Sequence, residues 1–274
     1  MDTNSHGNGW RVIFAENGVA QVRCQHWLGF VHFVDRYLIQ IKDNVFRGQA
    51  LSDWDLVPTL DRVASGLDVR KLTGVNGFMA EAVLRNRHLE SFKYAARGRR
   101  GRAPVELSDD DWWALGQHYG LATPLLDWSE SPYVAAYFAF CEDSFERKGT
   151  ASVFCLSLPL INNRISDLKS ELGDGFDAGD VVRFISPLAD DNARLVHQRG
   201  LFTICQSHLC LKEWVRTYFS GSRETPLVEL QIPRSERAVA MRHLNRMNVS
   251  HLTLFPDLSG ATGYCNQKLT DHLY

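Results

Sequence analysis

Long apolar runs are missing from this sequence. The longest candidate, Trp27 to Ile41, carries Asp35 and Arg36 in its middle and falls short of the roughly 18 unbroken apolar residues of a membrane helix. Excess charge is missing as well: 30 Lys+Arg against 32 Asp+Glu give a formal net charge of −2. That balance excludes a surface that is everywhere a footprint for nucleic acid or anionic lipid, so any polyanion site must be local. Cysteine is sparse, six in 274 residues, and four of the six lie in strongly apolar stretches where a free thiol behaves as a small hydrophobe. Cys205 and Cys210, with His208 between them, lack the second pair and the spacing of a metal site, and no metal is expected. Residues Met1 to Trp10 lack the basic and apolar regions of a secretory signal. The expectation is a reduced, cytoplasmic protein without a membrane partner.

What is present is a globular pattern. Trp27, Val31, Val34, Leu38 and Ile41 recur at helical spacing, and Val45-Phe46-Arg47-Gly48 after the Asp43-Asn44 turn reads as a short strand. Ala80, Leu84, His88, Phe92 and Ala95 mark a second helix, which runs into Arg97, Arg99, Arg100 and Arg102 interleaved with glycine. Those arginines form either a solvated loop or an anion-gripping one for nucleotide phosphates or an RNA backbone. Ser108 followed by Asp109, Asp110 and Asp111 starts a helix that delivers Gln117, His118 and Tyr119 to its last turn. Ser131-Pro132 starts another, apolar all round and therefore buried, just after Asp127-Trp128-Ser129. Strands are expected at 151–158, 201–205 and 227–232, with a Gly/Asp-rich, looser segment to about residue 190 and helical pieces towards the C-terminus. Helices dominating the first half and strands interleaving in the second indicate an α+β fold. An N-terminal helical region, residues 1–43, precedes one long domain, residues 44–274.

Several of these segments together resemble the FRG-domain family. The matching residues are Val45 to Gln49 with Trp54 and Pro58, Gln117 to Gly120, Leu125 to Ser129 with Pro132 and Ala135 to Ala139, Arg194 with Gln198 to Thr203, and Leu254 to Leu258. They span roughly residues 44 to 260 in the family's order. The family's usual Pro-Thr-Arg run is replaced by Ala122-Thr123-Pro124, so an arginine is missing at 124, and Arg97 to Arg102 are candidates for its work. More remotely, the order of blocks is similar to ADP-ribosyltransferases of the arginine-serine-glutamate type. Arg47-Gly48 stands for their first element, Asp127 to Ser129 before the buried helix for the second, and Arg194 to Phe202 for the third. The third lacks a glutamate, and Gln198 is the nearest substitute.

That resemblance implies an ADP-ribosyltransferase-like mixed-sheet core and NAD as co-substrate, with an RNA or protein acceptor and possible inhibition by an antitoxin. A bacterial toxin or phage-defence effector is the implied setting. Arg47 would contact NAD phosphate or ribose, or form an ion pair with Asp127; Asp127 would steady ribose charge, or cap the following helix. Gln198 would position rather than supply charge. Gly48, His118, Tyr119, Trp128, Ser129 and Arg194 complete the NAD-binding expectation, with core packing the alternative for each aromatic. Asp257 is a further acidic candidate. The competing readings are a non-catalytic nucleotide- or protein-binding module and a metal-dependent nuclease using Asp109 to Asp111 or Asp190-Asp191.

Overall fold

Asn17 and Gly18 both adopt positive φ, +49° and +76°, the backbone of a tight hairpin turn. They join β1 (Trp10–Glu16) to β2 (Val19–Cys24), so the N-terminal segment expected to be helical opens with two strands. The computed structural model describes residues 9–101, 104–142, 148–173, 181–187, 193–205 and 209–270. Helix α1 (Trp27–Phe33) follows, capped by His26, whose ring nitrogen accepts from the Gly29 amide at 3.0 Å, and passes into a π-helical turn, Val34–Leu38.

Strand β3 (Asn44–Gln49) leads to the short helices α2 (Thr59–Ala64) and α3 (Val69–Thr73) and the long α4 (Phe78–Ala95). Then come α5 (Asp109–His118), β4 (Leu125–Ser129), α6 (Pro132–Phe140), β5 (Thr150–Ser157) and α7 (Leu158–Leu172). The chain continues through β6 (Val182–Ile185), α8 (Ala193–Gln198), β7 (Gly200–Cys205), α9 (Leu211–Tyr218) and β8 (Leu227–Pro233). A 3-10 turn, Arg234–Glu236, precedes α10 (Arg237–Arg246), α11 (His251–Leu254) and α12 (Leu258–Thr270). Much of the segment expected to be loose is thus the amphipathic helix α7, which buries Ile161, Ile165 and Leu168 at 3- and 4-residue spacing.

The eight strands form one sheet in the order β1-β2-β8-β5-β3-β4-β7-β6, antiparallel except for the β2–β8 pair. One face meets α1, α6 and α10 through Trp27, Phe30, Phe33, Tyr137, Phe140 and Met241. The other meets α7 and α9 through Phe154, Leu156, Ile161, Trp214 and Val215. A third cluster at the β4–β7–β6 end packs Trp113 and Leu89 against Phe202 and Ile204. The fold is therefore mixed, with a mostly antiparallel sheet between helices. Of the expected helical region 1–43, the described residues 9–43 are not a separate helical unit: β2 pairs with β8, and α1 shares its core with α6. The physical reason is that a hairpin turn and a half-apolar strand edge make β8 a paired inner strand.

Among the described residues, no helix is long and apolar enough to cross a membrane.

Candidate functional site

The ladder between β3 and β4 is limited to Phe46↔Ser129. One residue further along β3, Arg47 reaches across to β4, and its Nη1 donates to the Asp127 carbonyl at 2.9 Å and the Asp127 carboxylate at 3.3 Å. The Arg47 side chain is 17% exposed, whereas Asp127 stands in the open. Burial pulls the Arg47 guanidinium below its ordinary range; the Asp127 charge and hydrogen bond oppose this, and the positive charge of Arg62 adds to it. Arginine stays protonated through such a shift.

Helix α5 places the next member. Ser108 and Asp111 close a capping box at its start, which fixes the helix so that Gln117 in its last turn donates from Nε2 to Asp127 Oδ1 at 2.5 Å. Buried Thr123 donates to the Gln117 carbonyl oxygen, orienting the amide. Asp127 is thereby held on one oxygen by an amide and on the other by a guanidinium.

Gly48 lets α6 lie directly on β3: a Cβ there would sit 1.9 Å from the Ala135 carbonyl oxygen. Ser131 caps α6 by accepting from Val134 at 3.3 Å. On the far side, Gln198 ends α8 beside Arg199, whose φ of +45° is a strained backbone for a bulky residue. The Gln198 amide donates to the Leu254 carbonyl at 3.2 Å.

These residues surround a cleft of about 450 Å³, a size that suits a nucleotide-class ligand. Of the expected site residues, Arg47, Gly48, His118, Asp127 and Gln198 line it. Trp128 and Ser129 border it but are committed elsewhere. Trp128 is 3% exposed with its indole donating to Thr203 at 2.9 Å, and the Ser129 hydroxyl donates to the Gln198 carbonyl at 2.7 Å and accepts from Ser131. They hold the wall rather than a ligand, because strand alternation turns Trp128 to the face opposite Asp127.

Tyr119 lies outside this cleft, in a second one with Arg99 and Arg100, and Arg97 packs its guanidinium over Tyr94. These arginines therefore do not replace the one absent at position 124. Pro124 itself is buried against another cleft, beside Trp113 and Arg183. Arg102, Asp190, Asp191, His208 and the Arg194 side chain lie outside the described residues.

Asp109 pairs with Lys93 at 2.6 Å, Asp110 with Arg183 at 3.0 Å, and Asp111 serves the capping box. Asp257 accepts from Ser259 and the Gly260 amide at the start of α12. Each of these acids has a local structural task.

Two wall residues, Arg62 and Glu142, carry no signal in the sequence. Arg62 is held to the start of α2 by the Val57 carbonyl at 3.3 Å and Thr59 at 3.2 Å, which brings a second guanidinium to the cleft. Two buried polar atoms in the wall, Nε of Arg47 and Oε1 of Gln49, have no hydrogen-bond partner among the described residues. An orphaned donor and an orphaned acceptor carry a desolvation penalty that a polar ligand can relieve.

A family model described as the FRG domain matches residues 42–148. Over those residues, which include Arg47, Gly48, Gln117, His118 and Asp127, the chain is similar to FRG-domain proteins. The blocks around Gln198 and Leu254 lie beyond the match. No curated protein and no solved structure matches the chain.

Proposed function

We propose that the cleft binds NAD and that the protein is a mono-ADP-ribosyltransferase acting on a macromolecular acceptor, RNA in preference to protein, in the setting of a bacterial toxin or phage-defence effector. One observation carries this reading: Arg47 and Gln117 grip Asp127 in a wall that also holds the orphaned Arg47 Nε and Gln49 Oε1. Those atoms suit a ligand that offers both an acceptor, as a phosphate does, and a donor, as a ribose hydroxyl or carboxamide does.

NAD supplies an ADP-ribosyl group, and its glycosidic bond to nicotinamide breaks as positive charge builds on the ribose. Arg47 and Arg62 bind the pyrophosphate, two guanidiniums for two phosphates. Asp127 faces the ribose and stabilises the developing charge; its hydrogen bonds fix the carboxylate before reaction, so little reorganisation is needed. Gln198 positions the ribose or acceptor. Trp54 and His118 offer rings to stack on nicotinamide or adenine. The acceptor nucleophile takes the ribose carbon that nicotinamide leaves, and its proton goes to solvent or to a cleft carboxylate.

A non-catalytic module that binds the same ligand is the second reading. It is favoured by the tight engagement of Asp127 and by the absence of glutamate among described residues 193–200. Incubation with labelled NAD and cellular RNA or protein separates the two. Transfer or nicotinamide release by wild type but not by Arg47→Ala supports the enzyme. Calorimetric binding of NAD with neither product leaves the binding module.

A further inference from the structure

Gln49 ends β3 and follows Arg47 and Gly48 into the wall of the Arg47–Asp127 cleft. The β3–β5 register runs unbroken through Arg47↔Phe154, Gly48↔Val153 and Gln49↔Ser152, so the side chains of Arg47 and Gln49 leave the strand on the same face. The backbone just beyond is pinned: Arg234 donates from Nη1 to the Ala50 carbonyl at 2.8 Å, and the Ser52 amide donates to the Thr150 carbonyl at 2.9 Å. Gln49 is 5% exposed, and its side chain is thus presented from a rigid support.

The orientation of its amide is fixed as well. Gln49 Nε2 donates to the Asp55 carbonyl at 3.3 Å, and turning the amide over would set Oε1 against that carbonyl, acceptor against acceptor. Oε1 is left buried, with no hydrogen-bond partner among the described residues. Other side-chain acceptors of the wall differ from it. Asp127 and Glu142 belong to exposed residues and carry charge, the Gln117 oxygen accepts from Thr123, and the Ser129 hydroxyl accepts from the Ser131 amide. Gln49 adds a neutral, sheltered acceptor whose burial has a cost that a donor on the ligand relieves.

We infer that Gln49 is a specificity residue that recognises an amino group on a ring of the ligand, so that the cleft takes nucleotides with a ring amine or carboxamide and rejects those with oxygen in its place. The identity of the ligand rests on the NAD reading; the demand for a donor rests on the Gln49 amide alone. A phosphate or carboxylate would face Oε1 with a second acceptor, and such groups suit Arg47, whose Nε is unpartnered in the same wall. A hydroxyl donates and accepts equally well, and the ribose hydroxyls have the charged Asp127 as their acceptor. A ring amine is different, because it serves only as a donor. NAD carries two such groups, the adenine amine and the nicotinamide carboxamide. Hypoxanthine for adenine, or nicotinic acid for nicotinamide, puts an acceptor where the donor was and leaves Oε1 buried against like polarity.

The test is calorimetric titration of wild type and Gln49→Met with NAD, its hypoxanthine analogue and its nicotinic acid analogue, and with ADP against IDP. Wild type is expected to bind NAD about tenfold or more tightly than at least one of the two analogues. Gln49→Met keeps the length of the side chain and removes the acceptor, so it should weaken NAD binding, leave the rejected analogue nearly unaffected and abolish the preference. The preference that is lost identifies the ring that Gln49 recognises. A cleft merely distorted by the substitution would weaken all ligands together and keep their ratios. Equal wild-type affinity for NAD and both analogues overturns the inference, as does a preference that survives in folded Gln49→Met. Melting temperatures verify folding, and the wild-type titrations alone are able to overturn the inference. If NAD does not bind, the NAD reading fails and ADP and IDP decide: a Gln49-dependent preference for ADP upholds the inference, and equal binding or none overturns it. Nicotinamide release is followed on the same samples. The preference without release defeats the transferase reading alone, and release without the preference defeats the Gln49 inference alone.

Discussion

Arg47 holds Asp127 twice, through the backbone carbonyl at 2.9 Å and the carboxylate at 3.3 Å, across the point where the β3–β4 ladder stops. Both bonds come from one nitrogen, Nη1, so the grip leaves the bidentate edge of the guanidinium for a ligand phosphate. Arg47→Lys keeps the charge and loses the fork, so NAD affinity measured by calorimetry should fall by about 10-fold or more, and Arg47→Ala should abolish measurable binding. Unaltered affinity in Arg47→Lys would remove the guanidinium from the phosphate site.

Asp127→Asn preserves shape and removes charge. Nicotinamide release should drop by about 10²–10³, as for loss of one electrostatic stabiliser, while NAD affinity changes little. A parallel loss in both would assign Asp127 to binding alone.

Gly48→Ala tests the packing of α6 on β3. The new Cβ would meet backbone, the Ala135 oxygen at 1.9 Å and the Ala139 nitrogen at 2.7 Å, and neither can swing away. Thermal denaturation should show destabilisation of about 1–3 kcal/mol or more. A melting temperature equal to wild type would mean that α6 can lift off the strand at no cost.

Glu229 is 0% exposed in the middle of the sheet, accepting from Gln21 at 2.8 Å and Ser152 at 2.7 Å, with Lys212 ammonium 3.7 Å away. Lys212→Ala leaves a buried carboxylate without its counter-ion and should cost about 3–5 kcal/mol in urea unfolding. The double variant Lys212→Met/Glu229→Gln should recover much of that loss; equal instability of the single and double variants would show that the charges are not coupled.

Burial pushes the thiols of Cys24, Cys141 and Cys210 up from 9.0, to about 12, about 11 and about 11, and that of Cys155 higher still. Above pH 9 the unfolded chain releases these protons while the folded one retains them, so νU falls below νN and stability decreases as pH rises. Below pH 9 both states keep the protons and the effect vanishes. Urea midpoints should therefore fall between pH 9 and 11, less so in Cys155→Ala after correction for its lower baseline. Iodoacetamide at neutral pH should label the exposed Cys265 ahead of these four.

Much of the site was legible because it is built on local signals. Val45 to Gly48, the Ser108 helix start and the Ser131-Pro132 cap each announce themselves within a few residues, and they carry Arg47, His118 and Asp127 into one cleft. Arg62 was not legible, since only tertiary packing brings α2 against β3. Trp128 was misleading because alternation along a five-residue strand sends neighbouring side chains to opposite faces, and sequence does not say which. The N-terminal hairpin did leave a mark, Asn17-Gly18, but the register shift between Val12 and Phe14 breaks the alternation beside it. The α7 helix hides behind the Gly/Asp-rich stretch that follows it.

Strand β8 sits between β2 and β5, and it is the last strand among the described residues. During synthesis, β2 and β5 must each wait with an unpaired edge until residues 227–233 emerge from the ribosome. Two open edges, one offering Val19, Ala20 and Val22 and the other Val153, Phe154 and Leu156, are templates for pairing with other chains, and distant pairings form slowly. The nascent protein is thus most vulnerable to aggregation late in translation, and a single segment ends that vulnerability on both sides of the sheet at once.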